Sequence, residues 1–130
     1  MTGVQTCALP IFGEYQNAKK YYKKALAIAT EIGDRREEGA AYLNLGAVYS
    51  NLNKNRKAEE HLDKAVGVSI AIGDREMEAF AFAGLSQVSD SVNDSQKAKE
   101  HCEEALTIIR ERKHEARLYL DVGYLSQSFG

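Results

Sequence analysis

Apolar residues recur along the chain at intervals of three and four positions, the spacing that lines one face of an α-helix. The two clearest stripes are Ala41, Leu45, Val48 and Leu52, followed by Ala58, Leu62 and Ala65, with the small residue Ser69 at the next position of the second stripe. Strict alternation of apolar and polar positions, which marks a half-buried strand, is absent from the sequence. The pattern therefore predicts an all-α fold.

The apolar pattern repeats along the chain with a period of 40 residues. The recurrences include Ile32-Gly33-Asp34-Arg35 with Ile72-Gly73-Asp74-Arg75, Lys24-Ala25 with Lys64-Ala65, Leu45 with Leu85, Val48 with Val88, and Glu60-His61 with Glu100-His101. A fixed period of this length is typical of repeat architectures, in which each unit packs on its neighbours.

Signals that end one helix and begin the next fall at regular places in each period. Gly33 and Gly73 can adopt the left-handed conformation that closes a helix, and the aspartate after each of them is a suitable N-cap. Asn53 and Asp94 mark two further turns, whereas residues 110–114 lack a Gly-Asp pair and the repeat there is about three residues short. We predict six helices, over 14–32, 35–52, 55–72, 75–92, 95–112 and 115–128.

The first residues resemble something other than a protein segment. Residues 1–11 match, codon by codon, the in-frame translation of a common sequencing-library adapter whose initial GTG is read as Met1. We therefore expect residues 1–12 to be an adapter-derived tail that is not native, and the chain to be a fragment of a longer protein. The expected repeat domain, 13–130, divides into the second helix of a truncated repeat (13–34), two repeats (35–74 and 75–113) and the first helix of another truncated repeat (114–130).

The recurring positions resemble the tetratricopeptide repeat, whose pattern has an aromatic, Leu-Gly and an aromatic on the first helix and small-aromatic-small on the second. The matching residues are Tyr42, Leu45-Gly46, Tyr49, Ala58, Leu62 and Ala65, then Phe82, Leu85-Ser86, Ser89, Ala98, Cys102 and Ala105, with Tyr119, Val122-Gly123 and Ser126 at one end and Ala18, Tyr22 and Ala25 at the other. The resemblance implies an α-solenoid of antiparallel helix pairs. The long period without a boundary proline looks like the variant found in LGN/Pins-type scaffolds and large animal tetratricopeptide arrays.

The resemblance also implies a concave groove, lined by the first helix of each pair. The implied peptide-binding residues are Ala40, Leu43, Asn44, Ala47, Phe80, Ala83, Gln87, Asp90, Arg117, Leu120, Asp121 and Tyr124. Asn44 resembles an asparagine that hydrogen-bonds a partner's backbone in related scaffolds; the alternative is that it simply faces solvent. Leu43 and Ala47 stand where the family's carboxylate clamp needs Lys and Asn, which disfavours a chaperone C-terminus as the ligand.

Composition and charge exclude several other classes. The chain is 44% hydrophobic and 28% charged with a formal net charge of -2, so neither nucleic acid nor an anionic membrane surface is an expected partner. The sequence contains neither an apolar run long enough to span a bilayer nor a signal peptide. Its two cysteines, Cys7 and Cys102, cannot form a disulfide framework. We therefore expect a cytoplasmic location.

Residue types that carry catalysis or bind metals do not converge in the sequence. His61 and His101 occupy equivalent repeat positions, and we interpret them as surface histidines because a metal site needs several donors close together. Cys102 takes the position of Leu62 one period earlier and is interpreted as a small buried hydrophobe. We therefore expect no enzyme activity, no metal and no cofactor.

The function we expect is that of a protein-interaction scaffold, binding an extended or helical peptide in the groove. The alternatives are a structural spacer within a longer array and a sensor module that regulates an attached effector domain. A spacer has no reason to present Phe80, Leu120 and Tyr124 on one concave strip. We also expect fraying or end-to-end self-association, because the end helices lack a neighbour. Their partly exposed apolar residues would be Tyr15, Tyr22, Leu26, Ile28, Leu118, Leu125 and Phe129.

Overall fold

The computed structural model describes the backbone of residues 3–129 and the side chains of residues 13–121. Within that part the chain forms five helices and no strand, so the all-α prediction is confirmed. The helices are α1 (Gly3–Ile32), α2 (Arg35–Asn51), α3 (Asn55–Ile72), α4 (Arg75–Ser91) and α5 (Ser95–Phe129). Each helix packs on the next one along the chain, and α2 also contacts α4 across α3.

The α1–α2 and α3–α4 turns are built as the sequence predicts. Gly33 and Gly73 have φ angles of 74° and 72°, a left-handed conformation that glycine adopts without steric cost. Asp34 and Asp74 then accept a hydrogen bond from the backbone N–H three residues on, at 3.1 and 3.0 Å. Each aspartate thereby satisfies one of the N–H groups that the first turn of a helix leaves free.

The α2–α3 and α4–α5 turns use asparagine in place of glycine. Asn53 and Asn93 have φ angles of 61° and 62°, which asparagine tolerates better than most residues. Asp94 follows and accepts a hydrogen bond from the N–H of Lys97 at 3.1 Å. The two kinds of turn therefore alternate along the chain, and the predicted turns at Asn53 and Asp94 are confirmed.

The core forms where α2 and α4 meet α3. Leu62 of α3 is 2% exposed, and Leu45 and Leu85 are buried with it. A Cβ atom added to Gly46 would lie 2.6 Å from the Leu62 side chain, and one added to Gly84 would lie 3.1 Å from it. Glycine at these two positions therefore lets α2 and α4 approach Leu62 closely from both sides.

The prediction of a sixth helix is wrong, because α5 runs unbroken from Ser95 to Phe129. The expected turn at Lys113 and His114 lies inside this helix. Residues 110–115 read Arg-Glu-Arg-Lys-His-Glu and include neither a glycine nor an asparagine, the residue types with positive φ at the other turns. The local sequence therefore favours a continuous helix.

The spacing of the repeat also leaves no room for a turn in α5. One 40-residue period after Gly73 is Lys113, where the fifth helix would end. Ser86 and Gly123 occupy the same position of the repeat. Asp74, the N-cap of α4, stands 12 residues before Ser86. The same distance before Gly123 is Glu111, where a sixth helix would begin. Counted in this way, the start of a sixth helix falls before the end of the fifth, whereas the predicted bounds 95–112 and 115–128 had left residues 113–114 for a turn. The spacing therefore agrees with one continuous helix.

The two ends of the structure differ from the prediction in other ways. α1 begins at Gly3, within the residues 1–12 that were set aside as adapter-derived; that origin stays a prediction. Ile28 and Leu118 are 57% and 50% exposed, and Tyr15, Tyr22 and Leu26 are half-buried, as expected for end helices. Leu125 and Phe129 lie outside the described side chains.

The interpretation of Cys102 as a buried hydrophobe is wrong, since its side chain is exposed. Its counterpart Leu62 is covered because α4 packs on α3 after the Gly73 turn. α5 has no such turn, so the chain does not return to cover Cys102.

Candidate functional site

A cavity of about 320 Å³ lies between α2 and α4, above α3. The wall from α2 includes Leu43, Asn44 and Ala47, and the wall from α4 includes Phe80, Ala83 and Gln87. These are six of the twelve residues that the sequence analysis assigns to a peptide-binding groove. We call this cavity the α2–α4 groove.

The floor of the α2–α4 groove consists of Leu62, Gly46 and Gly84, which the sequence analysis did not assign to the site. Both glycines pack against the Leu62 side chain, and a larger residue at either would meet it. The sequence does contain the residues of this floor, since Gly46 and Gly84 are small and Leu62 lies on the helix between them. These three residues belong to one surface only because α2 and α4 contact each other across α3, and helical periodicity does not predict that contact.

The polar groups at the α2–α4 groove are neutral. Asn44 is exposed and Gln87 lies on the opposite wall, while Ser50 and Asn51 complete the polar lining. Among the described residues that line this cavity, none is charged. The groove can therefore offer amide donors and acceptors beside an apolar floor, without a fixed charge to select an ionic ligand.

A second cavity, of about 450 Å³, lies between α4 and α5, and its mainly apolar lining also includes Glu76 and Arg112. Phe80 and Ala83 line it too, so they form a ridge between the two cavities. Phe80 is 58% exposed, which leaves its ring available to either side. Ile108 and Ile109 form the α5 wall of this second cavity, and the sequence analysis assigned neither to a site.

The remaining predicted site residues lie elsewhere. Ala40 and Asp90 are on α2 and α4 but do not line the groove. Arg117 and Leu120 line a separate surface cavity on the C-terminal part of α5, and Asp121 is exposed nearby. Because α5 does not turn back, this third group is not joined to the other two. Tyr124 lies outside the described side chains.

The two histidines are half-buried, and each packs one side of its ring against an aromatic residue of the preceding helix. The His61 ring centroid lies 5.0 Å from that of Tyr49, and its Nδ1 is 2.8 Å from the carbonyl oxygen of Lys57. His101 stacks on Phe82 with centroids 6.0 Å apart. Within the described residues, no group of three or more His, Cys, Asp or Glu is arranged to hold a metal ion.

Charged residues near the turns form a repeated set of ion pairs. Arg35 binds Glu38, and Arg75 binds Glu78, both at 2.8 Å. Arg75 also binds Glu111, which joins the start of α4 to α5. The first two pairs lie within α2 and within α4, and the third joins two helices. None of these residues lines the α2–α4 groove.

The Asp63 carboxyl on α3 has a perturbed acidity. Loss of hydration raises its pKa above the ordinary value for aspartate, and the neighbouring Glu59 raises this pKa further, against the smaller lowering by His101 and Lys97. The carboxyl does not line the α2–α4 groove, so its effect is on the stability of the fold.

The five helices follow one another along the chain, and their turns alternate between glycine and asparagine. This arrangement is consistent with a helical repeat protein. Residues 11–71 match the family model of the tetratricopeptide repeat, which supports a tetratricopeptide repeat protein. The match includes α2, all but the last residue of α3 and most of α1. No curated protein matches the chain.

In the described part, each helix is too short or too polar to cross a membrane.

Proposed function

We propose that the chain binds a peptide segment of a partner protein, extended or helical, in the α2–α4 groove. Tetratricopeptide repeats generally mediate protein–protein interaction, and they are non-enzymatic modules as a rule. The observation that supports this groove as the binding surface is the cavity between α2 and α4. Two helices from successive repeats wall it, as expected for a groove that crosses the repeats.

The lining of the groove suggests the chemistry of the ligand. Leu62 and the exposed ring of Phe80 favour an aliphatic or aromatic anchor side chain. Asn44 and Gln87, on opposite walls, can each donate and accept hydrogen bonds, which suits the N–H and C=O groups of a peptide backbone. The absence of charge in this described lining disfavours a free carboxylate or a phosphate as the main anchor.

The second candidate is a structural spacer in a longer repeat array. The separation of Phe80 and Leu120 into different cavities favours it, since an uninterrupted binding strip would bring them together. The sensor alternative, the LGN/Pins-like type, the repeat boundaries, the cytoplasmic location and the exclusion of nucleic acid and membrane stay predictions from the sequence.

Selection of peptides from a random display library on the immobilised chain tests the proposal. Phe80→Ala should weaken the selected peptides by at least about tenfold, equivalent to about 1.4 kcal/mol. Asn44→Ala should weaken them if that amide bonds the peptide backbone. The matched control is Ile70→Ala, because Ile70 is 60% exposed but lies outside the groove. Peptides that bind Phe80→Ala as well as the parent chain, or a selection that yields none, would favour the spacer.

A further inference from the structure

An open apolar stripe runs along α1. Tyr21, Ile28 and Ile32 are 65%, 57% and 69% exposed, and Ala25 is exposed between them. Their spacing of four, three and four residues puts them on one face of the helix. In the part of the chain that the structure describes, this face is open to solvent.

The corresponding stripe on α3 is covered by α2. One 40-residue period later the same positions are His61, Ala65, Val68 and Ile72. Ala65 is 0% and Val68 is 5% exposed, and the ring centroids of His61 and Tyr42 of α2 lie 6.1 Å apart. The α1 stripe therefore lacks a covering helix of the α2 type.

The C-terminal part of α5 carries the α2 pattern. A shift of 77 residues aligns Gly39 with Ala116, Tyr42 with Tyr119 and Leu45-Gly46 with Val122-Gly123. In α2, a Cβ on Gly39 would lie 2.9 Å from the Val68 side chain, and one on Gly46 would lie 2.6 Å from that of Leu62. The later segment keeps glycine at the second position, whereas Ala116 brings a Cβ to the first, so the α1 side chain that it meets has to move aside.

This segment of α5 is not packed against the described helices. Tyr119 and Leu120 are each 71% exposed, and every described side chain from 109 to 121 is exposed. Because α5 continues without a turn, the segment points away from its own repeats. It is therefore available to another molecule.

The α1 stripe and the C-terminal segment of α5 also carry the two partners of a cation–π contact that is present between α2 and α3. In the covered pair, the ammonium of Lys64 lies 5.5 Å from the centroid of the Tyr42 ring, within cation–π range. The counterpart of Lys64 on α1 is Lys24, and the counterpart of Tyr42 on α5 is Tyr119. Packing the α5 segment on α1 would reproduce this contact, with Tyr21 in place of His61 beside the ring.

We propose that the chain self-associates head to tail, with residues 114–129 of one copy packed on the α1 stripe of the next copy. The pairing completes one repeat from two halves. The donor segment and the acceptor stripe are different surfaces, so the contact is heterologous and assembly continues beyond a dimer unless a ring closes. The inference does not depend on ligand binding in the α2–α4 groove.

Light scattering over a range of concentrations tests the two surfaces with matched variants. Ile28→Glu on the α1 stripe and Tyr119→Glu on the donor segment should each give a monomer. Ile109→Glu and Asp121→Lys are the controls, since Ile109 is 53% exposed on α5 before the donor segment, and Asp121 is exposed and aligns with Asn44, which stays exposed in the covered pair. Both controls should associate like the parent chain, whose average mass should keep rising with concentration.

Mixing the two monomeric variants gives the decisive result. Ile28→Glu retains an intact donor segment and Tyr119→Glu retains an intact α1 stripe, so the mixture should form a 1:1 heterodimer that grows no further. Recovery of binding also shows that both variants are folded. A mixture that stays monomeric would overturn the proposal, as would a parent chain that is monomeric at every concentration. Loss of association in Ile109→Glu but not in Ile28→Glu would also overturn it, because the segment would then bind α5.

Discussion

Gly46 is the position where the close approach of two helices can be tested most sharply. In Gly46→Ala, the new Cβ would lie 2.6 Å from both Cγ and Cδ2 of Leu62 and 3.5 Å from the carbonyl oxygen of Ala58. Leu62 is 2% exposed and α4 packs on its other side, so it has little room to move. The substitution should therefore push α2 away from α3.

The magnitude follows from two opposing effects. Alanine in place of glycine inside a helix stabilises by about 1 kcal/mol, whereas overpacking of a well-filled core costs about 1–3 kcal/mol. Gly67→Ala on α3 is the matched control, because nothing lies within 4 Å of the position its Cβ would take. It should raise the free energy of unfolding by about 1 kcal/mol. Gly46→Ala should thus be about 1–3 kcal/mol less stable than Gly67→Ala.

Urea unfolding followed by circular dichroism gives both free energies of unfolding. A second check is Leu62→Ala, which removes the side chain that Gly46→Ala meets. The double variant should lose less stability than the two single losses added together. If Gly46→Ala proves as stable as Gly67→Ala, the proposed close packing of α2 on Leu62 is incorrect.

The α4 N-cap, the Asp63 carboxyl and the junction in α5 give three further tests. Asp74→Ala should lower the free energy of unfolding by about 1 kcal/mol, and Asp74→Asn, which keeps a capping oxygen, should lower it less in the same urea assay. The raised pKa of Asp63 means that its contribution favours folding at low pH and is lost as the pH rises through the folded-state pKa. Asp63→Asn should therefore raise the free energy of unfolding at pH 7 by less than about 1 kcal/mol. Below the ordinary pKa of aspartate it should leave that free energy unchanged, and urea titrations at the two pH values measure both. Inserting Gly-Asp-Arg after Arg112 restores the period and should protect Cys102 from a thiol reagent in a Cys7→Ala background, whereas inserting Ala-Ala-Ala should leave it reactive.

The turns were predictable from the sequence because their chemistry is local. A glycine or an asparagine at positive φ, followed by a capping residue, fixes the end of one helix and the start of the next within a few residues. Gly73 and Asn53 illustrate both kinds. Such signals need no knowledge of the rest of the fold, so the helix ends at all four turns lie within one residue of the predicted bounds.

The predicted turn in α5 is wrong because the apolar pattern continues beyond it, while the residues at the junction favour a helix and the repeat there is about three residues short. Residues 110–115 are charged residues and a histidine, of which Arg, Lys and Glu are good helix formers. A repeat pattern shows which helix faces can be buried, but a turn requires residues that can make it. Cys102 was misassigned for the same reason, since its burial depended on the absent turn.

About half of the groove was predictable. Leu43 and Ala47 lie on one helix face at a spacing of four residues, and Phe80 and Ala83 at a spacing of three, so helical periodicity groups them. The Leu62 floor comes from another helix, and its place depends on how α2 and α4 cross α3. That crossing depends on tertiary packing, which a spacing rule within one helix does not describe.

The central claim, that the α2–α4 groove binds a partner peptide, is tested most directly by NMR. A selected peptide would be titrated into the isotope-labelled chain and the amide chemical shifts followed. The largest shifts should fall on α2 and α4 around Leu43, Ala47, Ala83 and Gly84, while the outer face of α3 near Ile70 stays unchanged. Shifts concentrated outside the groove, on α1 or on the C-terminal part of α5, would contradict the claim.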